Sequence, residues 1–405
     1  MPYTLSATYE IVTPMFIGDA QQEAQTVQPA SVKGALRFWW RALNWGTILA
    51  ENDGSEVEAL KQLHCEEGKL FGKAAEEVKK KQIGGQGGFL LRLISNTPRA
   101  VNLNQEKEYQ ENTWQSYLLG LGLFRGGYNR KALTSGTFTV ELFCRNNEIA
   151  EKIKPALRAW GLLGGLGSRN RKGLGSVAIR ELDGRTIAQD YESYCDELKG
   201  LMQQVDCVDD NPPFTAFGNK TQIKVSEQAT QNPWEQLGTI AETMQMFRSW
   251  GRNGNVNRKP RHENSYSEKR NDHDRIYAIA RNDPPPNDLP HSITFGLPRQ
   301  YNLSQAGGVE IIPGKLSNGQ PDKQLKRARR ASPLFIHIHS FGKNQKETVA
   351  VYTFLPATFL PPDDKILLQK SGQWVEKPTN LIADWSVIEE YLDKAAPKPR
   401  WEQIS

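Results

Sequence analysis

The residues with the clearest capacity for chemistry in this chain are cations grouped at short intervals. Lys33, Arg37 and Arg41 recur every four residues within Ser31-Val32-Lys33-Gly34-Ala35-Leu36-Arg37-Phe38-Trp39-Trp40-Arg41, so a helix there aligns them in one stripe. Gly34 lets a ligand approach the first turn closely, and the N–H groups of a helix start favour an anion. An ordinary amphipathic helix with a solvated basic face carries the same pattern. A second group lies in residues 161–175, where Arg169, Arg171 and Lys172 are embedded among glycines. Glycine frees the backbone to present N–H groups to phosphate, which makes Gly165, Gly167 and Gly173, together with Gly34, candidates for a phosphate-cradling backbone. No Gly-Lys-Ser/Thr closes this loop, and it does not join a strand to a helix, so neither a Walker A loop nor a dinucleotide fingerprint is present.

A third group is diffuse. Arg252, Arg258 and Lys259 stand in a polar stretch at 251–290 with Tyr266 and Tyr277, and Arg329 and Arg330 precede Ser332-Pro333-Leu334. Cations of this kind give salt-dependent affinity for a phosphate backbone, while aromatic rings stack on unpaired bases. Catalytic patterns are weaker. His337 and His339 share one face of an expected strand, but spacing suggests no third ligand for a metal, and packing is the better reading. His262 is the best candidate for a general base. Asp209-Asp210 and Asp363-Asp364 lie beside prolines and read as turn residues. No catalytic residue, metal site or cofactor is expected.

The elements that must position these groups follow from periodicity. Alternating apolar residues predict strands at 5–12, 89–94, 137–144 and 176–180. Helices are expected at 32–49, with Ser31 as N-cap, at 114–123, and at 149–160, ending at Gly161. This β-α-β-β-α-β cadence fits a ferredoxin-like domain, although spacing alone admits other α+β folds. Asn211-Pro212-Pro213 marks a boundary between domains at 1–210 and 211–405. Beyond it the pattern repeats in kind: a strand at 215–224, a helix at 234–250, a hairpin from 333–340 and 348–355, and a helix at 382–392. The segment 251–290, with Pro284-Pro285-Pro286, is expected to be a loop.

Bulk properties agree with two soluble domains. The 405 residues are 38% hydrophobic and 24% charged, with a net charge of +5 and a pI near 8.8. No run approaches the roughly 20 apolar residues that span a bilayer, and no signal peptide is evident at the start. Four scattered cysteines without a CxxC pair fit a reducing compartment, so a cytoplasmic location is expected.

Three stretches resemble the RAMP superfamily, and most closely the first-numbered RAMP subunit type of the Cmr (type III-B CRISPR) effectors. Glu10-Ile11-Val12-Thr13-Pro14-Met15-Phe16-Ile17-Gly18 with the Lys33 to Arg41 motif is similar to the family's opening strand and first helix. The 161–175 loop resembles its glycine-rich loop, and Arg329-Arg330-Ala331-Ser332-Pro333-Leu334 its late Arg-x-Ser-Pro-Leu element. The resemblance implies two tandem ferredoxin-like domains and a non-catalytic subunit that binds near the 3′ end of guide RNA or on paired target RNA, beside other RAMP subunits. It also implies phosphate contacts from Lys33, Arg37, Arg41, Arg169, Arg171, Lys172, Arg329 and Arg330. Two alternatives remain open: a metal-independent guide-processing endoribonuclease, and a protein scaffold without RNA contact.

Overall fold

The computed structural model describes residues 1–18, 23–78, 81–96, 98–110, 114–226, 232–249, 255–256, 259–260, 272–281, 289–303, 306–322, 329–342, 347–370, 372–377, 384–395 and 401–404. The elements that matter for the site begin with β1 (Tyr3–Ile11), α1 (Pro29–Glu51), α2 (Glu56–Phe71), β2 (Phe89–Asn96) and β3 (Thr137–Cys144). Next come α3 (Asn147–Leu163), β4 (Val177–Leu182), β5 (Arg185–Thr186), α4 (Tyr191–Met202), β6 (Gln222–Ser226), α5 (Pro233–Arg248) and α6 (Asp272–Arg281). The chain continues with β7 (Arg299–Leu303), β8 (Gly307–Gly314), β9 (Leu334–Phe341), β10 (Glu347–Phe354), β11 (Lys365–Lys370), β12 (Gln373–Lys377), α7 (Ser386–Ala395) and β13 (Trp401–Ile404).

The described elements form an α+β protein whose recorded strand pairings are antiparallel. Contacts divide it into two compact units: Met1–Thr239 with Phe335–Pro356 and Lys398–Ser405, and Ile240–Leu334 with Ala357–Pro397. The first unit holds two sheets, ordered β2-β3-β1-β4-β5 and β9-β10-β6-β13. β1 and β3 bury alternate residues, Leu5, Ala7, Tyr9 and Ile11 against Phe138, Val140 and Leu142, because side chains of a strand point to opposite faces. α1 and α3 join that core through Val32, Leu36, Trp39, Trp45, Ile153, Leu157 and Trp160. The second unit holds the sheet β7-β8-β11-β12 and a smaller core around Ile279, Ile293, Leu297, Ile311 and Ile366.

Several boundaries differ from those the sequence implies. α1 starts three residues early, at Pro29, whose ring suits a first helical position. Its N-cap is Gln28, with no side-chain cap, so Ser31 lies inside the first turn. α3 runs through Gly161 to Leu163, since at Gly161 a Cβ would come within 2.4 Å of Ile179, and the missing side chain is spent on helix–sheet contact. The expected 114–123 helix is shorter, Gln115–Leu119. The segment following α4 packs onto α1: Trp45 Nε1 donates to Asp209 Oδ2 at 2.9 Å and Thr47 Oγ1 to Asp206 Oδ2 at 2.6 Å. Part of the 251–290 stretch, expected as a loop, is helix α6. Among the described residues, no helix is long and apolar enough to cross a membrane.

Candidate nucleic-acid interface

The glycine loop at 164–175 is held by a closed set of hydrogen bonds. Leu166 N donates to Gly175 O at 2.8 Å, Ser168 N to Phe16 O at 2.9 Å, and Gly175 N to Pro14 O at 3.0 Å. Two buried hydroxyls complete the lock. Thr13 Oγ1 donates to Gly173 O at 2.6 Å and accepts from Ser176 N at 2.9 Å. Ser176 Oγ donates to the same Gly173 O at 3.0 Å and accepts from Ile338 N at 3.1 Å. Gly167 and Gly173 have positive φ, +86° and +83°, where a side chain is strained. A Cβ would also stand 2.7 Å from Phe16 O at Gly167 and 2.8 Å from Leu237 at Gly173. Gly165 forms a single β-bridge to Ser176. Close protein packing thus accounts for the smallness of Gly165, Gly167 and Gly173.

This rigid loop displays three cations. Arg169 has a left-handed backbone and is exposed, its Nε donating to Leu119 O at 3.3 Å. The half-buried Arg171 guanidinium lies 4.2 Å from the ring centre of Phe335 and 5.3 Å from that of Phe38. Lys172 Nζ is 6.0 Å from the Tyr117 ring. Aromatic faces attract guanidinium and ammonium groups through the ring quadrupole. A cleft of about 380 Å³ opens between the loop and α1, lined by Ser31, Gly34, Ala35 and Phe38 of the helix and by Gly165, Gly167, Asn170 and Arg171 of the loop, with Phe335 alongside. Apart from its chain neighbours and the backbone of its own helix, nothing lies within 4 Å of where a Cβ of Gly34 would be.

The basic stripe of α1 does not face this cleft. Its arginines turn to α2, where Glu67 stands 3.0 Å from Arg37 Nε and 3.3 Å from Arg41 Nε. Arg37 also reaches Gly72 O at 3.3 Å and covers the Phe71 ring. One carboxylate therefore serves two guanidinium groups, leaving one formal positive charge. Lys33 has no carboxylate partner among the described residues, and burial together with the neighbouring Arg37 pulls its ammonium pKa below the usual lysine value.

Within the second unit, Lys259 Nζ pairs with Glu242 at 2.6 Å. Arg329 is exposed. Arg330 is drawn inward, donating to Thr358 O at 3.2 Å beside the Phe359 ring, and burial lowers its pKa to about 10. Arg252, Arg258 and His262 lie outside the described residues. His337 and His339 do share a face, with His337 Nε2 3.3 Å from His339 Nδ1 and His337 Nδ1 2.7 Å from Gly164 O. Burial lowers the His337 pKa to about 4 and holds that of His339 well below the usual histidine value, so both are neutral at physiological pH. Among the described residues no three His, Cys, Asp or Glu side chains group as a metal site.

Residues 8–178 match the family model described as the RAMP superfamily. That match spans a little under half of the chain. Over 190 residues the chain is 24% identical to the CRISPR system Cmr subunit Cmr1-2 of Pyrococcus furiosus, a match covering 43% of this chain and 93% of that protein. The apo crystal structure of Cmr1 from Pyrococcus furiosus is 18% identical, with a TM-score of 0.49 over 96% of this chain and 97% of that one. A chain of the type III-B Cmr-beta structure bound to cognate target RNA and AMPPnP, in the presence of ssDNA, is 12% identical, with a TM-score of 0.50 over 98% of this chain and 99% of that one. At 12% identity the likeness to this last chain is one of fold.

The matched segment contains Lys33, Arg37, Arg41 and all three loop cations. Phe335, which completes the cleft, and Ile338, which completes the hydroxyl lock, come from β9, far along the chain. Sequence reasoning missed Glu67, Thr13, Ser176 and Phe335. Thr13 lies within the Glu10 to Gly18 motif and Ser176 next to the glycine loop, but nothing local reveals that they bond to each other.

Proposed function

We propose that this chain is a non-catalytic, RNA-binding subunit of a type III-B CRISPR ribonucleoprotein that serves antiviral defence in the cytoplasm. It binds near the 3′ end of the guide RNA or on paired target RNA, beside other RAMP subunits. Similarity of residues 8–178 to the RAMP superfamily, and of part of the chain to a Cmr subunit, supports the assignment to this class of complex. Two tandem ferredoxin-like halves, 1–210 and 211–405, are supported by strand order. Numbered within each sheet, both β2-β3-β1-β4 and β9-β10-β6-β13 run second, third, first, fourth, the order of an antiparallel β-α-β-β-α-β sheet.

The observation that carries RNA binding is a locked loop presenting Arg169, Arg171 and Lys172 beside α1, with Lys33 half-buried and without a carboxylate partner among the described residues. An incoming phosphate supplies the counter-charge that Lys33 lacks. Arg37, Arg41, Arg252, Arg258, Lys259 and Arg329 belong to the same proposal as further phosphate contacts. Phosphate contacts of this kind position a strand without reading its bases. Buried, neutral His337 and His339 bond to the loop carbonyl and to each other, which favours a structural role over that of a general base.

The test incubates purified protein with a labelled single-stranded RNA in EDTA, measures binding by fluorescence anisotropy, and runs the RNA on a denaturing gel. Binding with intact RNA is expected. Discrete cleavage products that vanish in His262→Ala would make the chain a nuclease, and absence of binding at low salt would make it a scaffold.

A further inference from the structure

Beyond phosphate contacts, the cleft between α1 and the glycine loop has the shape and chemistry of a site for a flat ring. We propose that it receives a single unstacked nucleobase of a bound single-stranded RNA; this rests on the RNA-binding reading above. The cleft encloses about 380 Å³, room for one nucleoside and too little for a helical or strand element. Its walls are unlike those of a pure phosphate site. The half-buried Phe38 ring and the Arg171 guanidinium both line it, and Phe335 beneath Arg171 fixes that planar group in place at 4.2 Å. Aromatic rings and flat guanidinium groups are the surfaces on which unpaired bases stack. Polar groups suited to a base edge sit at the rim: the Asn170 amide, whose Nδ2 donates to Gly165 O at 3.3 Å, and the Ser31 hydroxyl. Exposed Arg169 is two residues from Arg171, within reach of the phosphate that flanks such a base.

The mouth of the cleft contains its own probe. Gly34 is exposed, helical and lines the cleft, and, its chain neighbours and helix backbone apart, nothing lies within 4 Å of its absent Cβ. Gly34→Leu therefore fills ligand space without a clash of its Cβ, and it strengthens the helix, since leucine is a better helix former than glycine. A loss of binding in this variant is not a loss of folding. A duplex offers the same backbone charge but no unstacked base.

The experiment compares wild-type protein, Gly34→Leu and Phe38→Leu on a single-stranded RNA of about 12 nucleotides and on a blunt RNA duplex, by anisotropy across several salt concentrations. 2-Aminopurine, whose fluorescence falls on stacking, is placed at successive positions of the single strand. The expected result is quenching at one position by wild-type protein. That quenching is lost in both variants, with single-strand affinity roughly tenfold lower, the range for one base–aromatic stack. The salt slope is unchanged because neither substitution removes a cation, and duplex affinity is unaffected. Equal weakening on duplex and single strand, or unchanged quenching in Gly34→Leu, overturns the base site while leaving RNA binding intact. If wild-type protein binds neither RNA, the RNA-binding reading itself fails.

Discussion

Replacing Thr13 with valine removes one oxygen and almost no volume, so it tests the hydrogen bonds that fix the glycine loop without opening a cavity. Thr13 is fully buried, and its hydroxyl serves two partners, Gly173 O and Ser176 N. In Thr13→Val, Gly173 O keeps its bond from Ser176 Oγ, but the Ser176 N–H is left without a partner. A buried unpaired donor costs about 1–3 kcal/mol. Ser176→Ala mirrors this: Gly173 O keeps Thr13, and Ile338 N–H is orphaned, for a similar cost of about 2 kcal/mol. The double variant strips Gly173 O of both hydroxyls, adding roughly 1–2 kcal/mol that neither single variant pays. Native-state hydrogen exchange of the peptide covering 170–178 reads the local opening energy. Each single variant is expected to exchange roughly thirtyfold faster, the factor for about 2 kcal/mol, and the double variant faster than the product of the two. Exchange unchanged in Thr13→Val, or strict multiplicativity in the double variant, refutes a shared acceptor as the anchor of the loop.

Three further outcomes follow from the same geometry. Glu67→Gln removes the carboxylate between Arg37 and Arg41; thermal stability should fall modestly, by under about 1 kcal/mol for this partly exposed pair. Its RNA affinity should rise at low salt with a slope steeper by about 0.7, the value for one more phosphate on a single strand; an unaltered slope removes the stripe from the contact surface. Acidification should destabilise the first unit, because the buried histidines hold their folded pKa values below that of the unfolded chain. The unfolded chain then takes up the proton first, so stability is complete above about pH 6.5 and is lost as pH falls toward 4, His337 alone contributing on the order of 3 kcal/mol. Urea unfolding at pH 7, 5.5 and 4.5 checks this, and a flat profile contradicts it. Arg329→Ala, exposed in the second unit, should lower RNA affinity by a few-fold at most with no change in melting temperature; a large thermal shift would assign it a packing role.

Strands with strict alternation were legible: Thr137–Cys144 was expected to the residue, and β1 and β2 within two. α2 was not, because only Ala59, Leu63, Leu70 and Phe71 of Glu56–Phe71 are buried and the remainder is mostly polar or charged. The β7-β8-β11-β12 sheet was also missed: β7 is Arg-Gln-Tyr-Asn-Leu, a polar strand that imitates a loop. At the site, sequence shows which residues are cations but not what neutralises them. Glu67, 30 residues from Arg37, decides how much charge the α1 stripe presents. Phe335 turns a glycine loop into the wall of a cleft only because β9 runs beneath Arg171. Such pairings depend on tertiary contact, which no local pattern encodes.

The most direct measurement is the salt dependence of RNA affinity for wild-type protein against the combined Arg169→Ala, Arg171→Ala and Lys172→Ala variant. For wild-type protein, log affinity should fall linearly with log salt, by about 0.7 for each phosphate neutralised on a single strand. The triple variant should flatten that slope by roughly two units, the sum for three such contacts. A wild-type affinity indifferent to salt, or a triple variant with an undiminished slope, would contradict the assignment of the glycine loop as the RNA-binding centre of this protein.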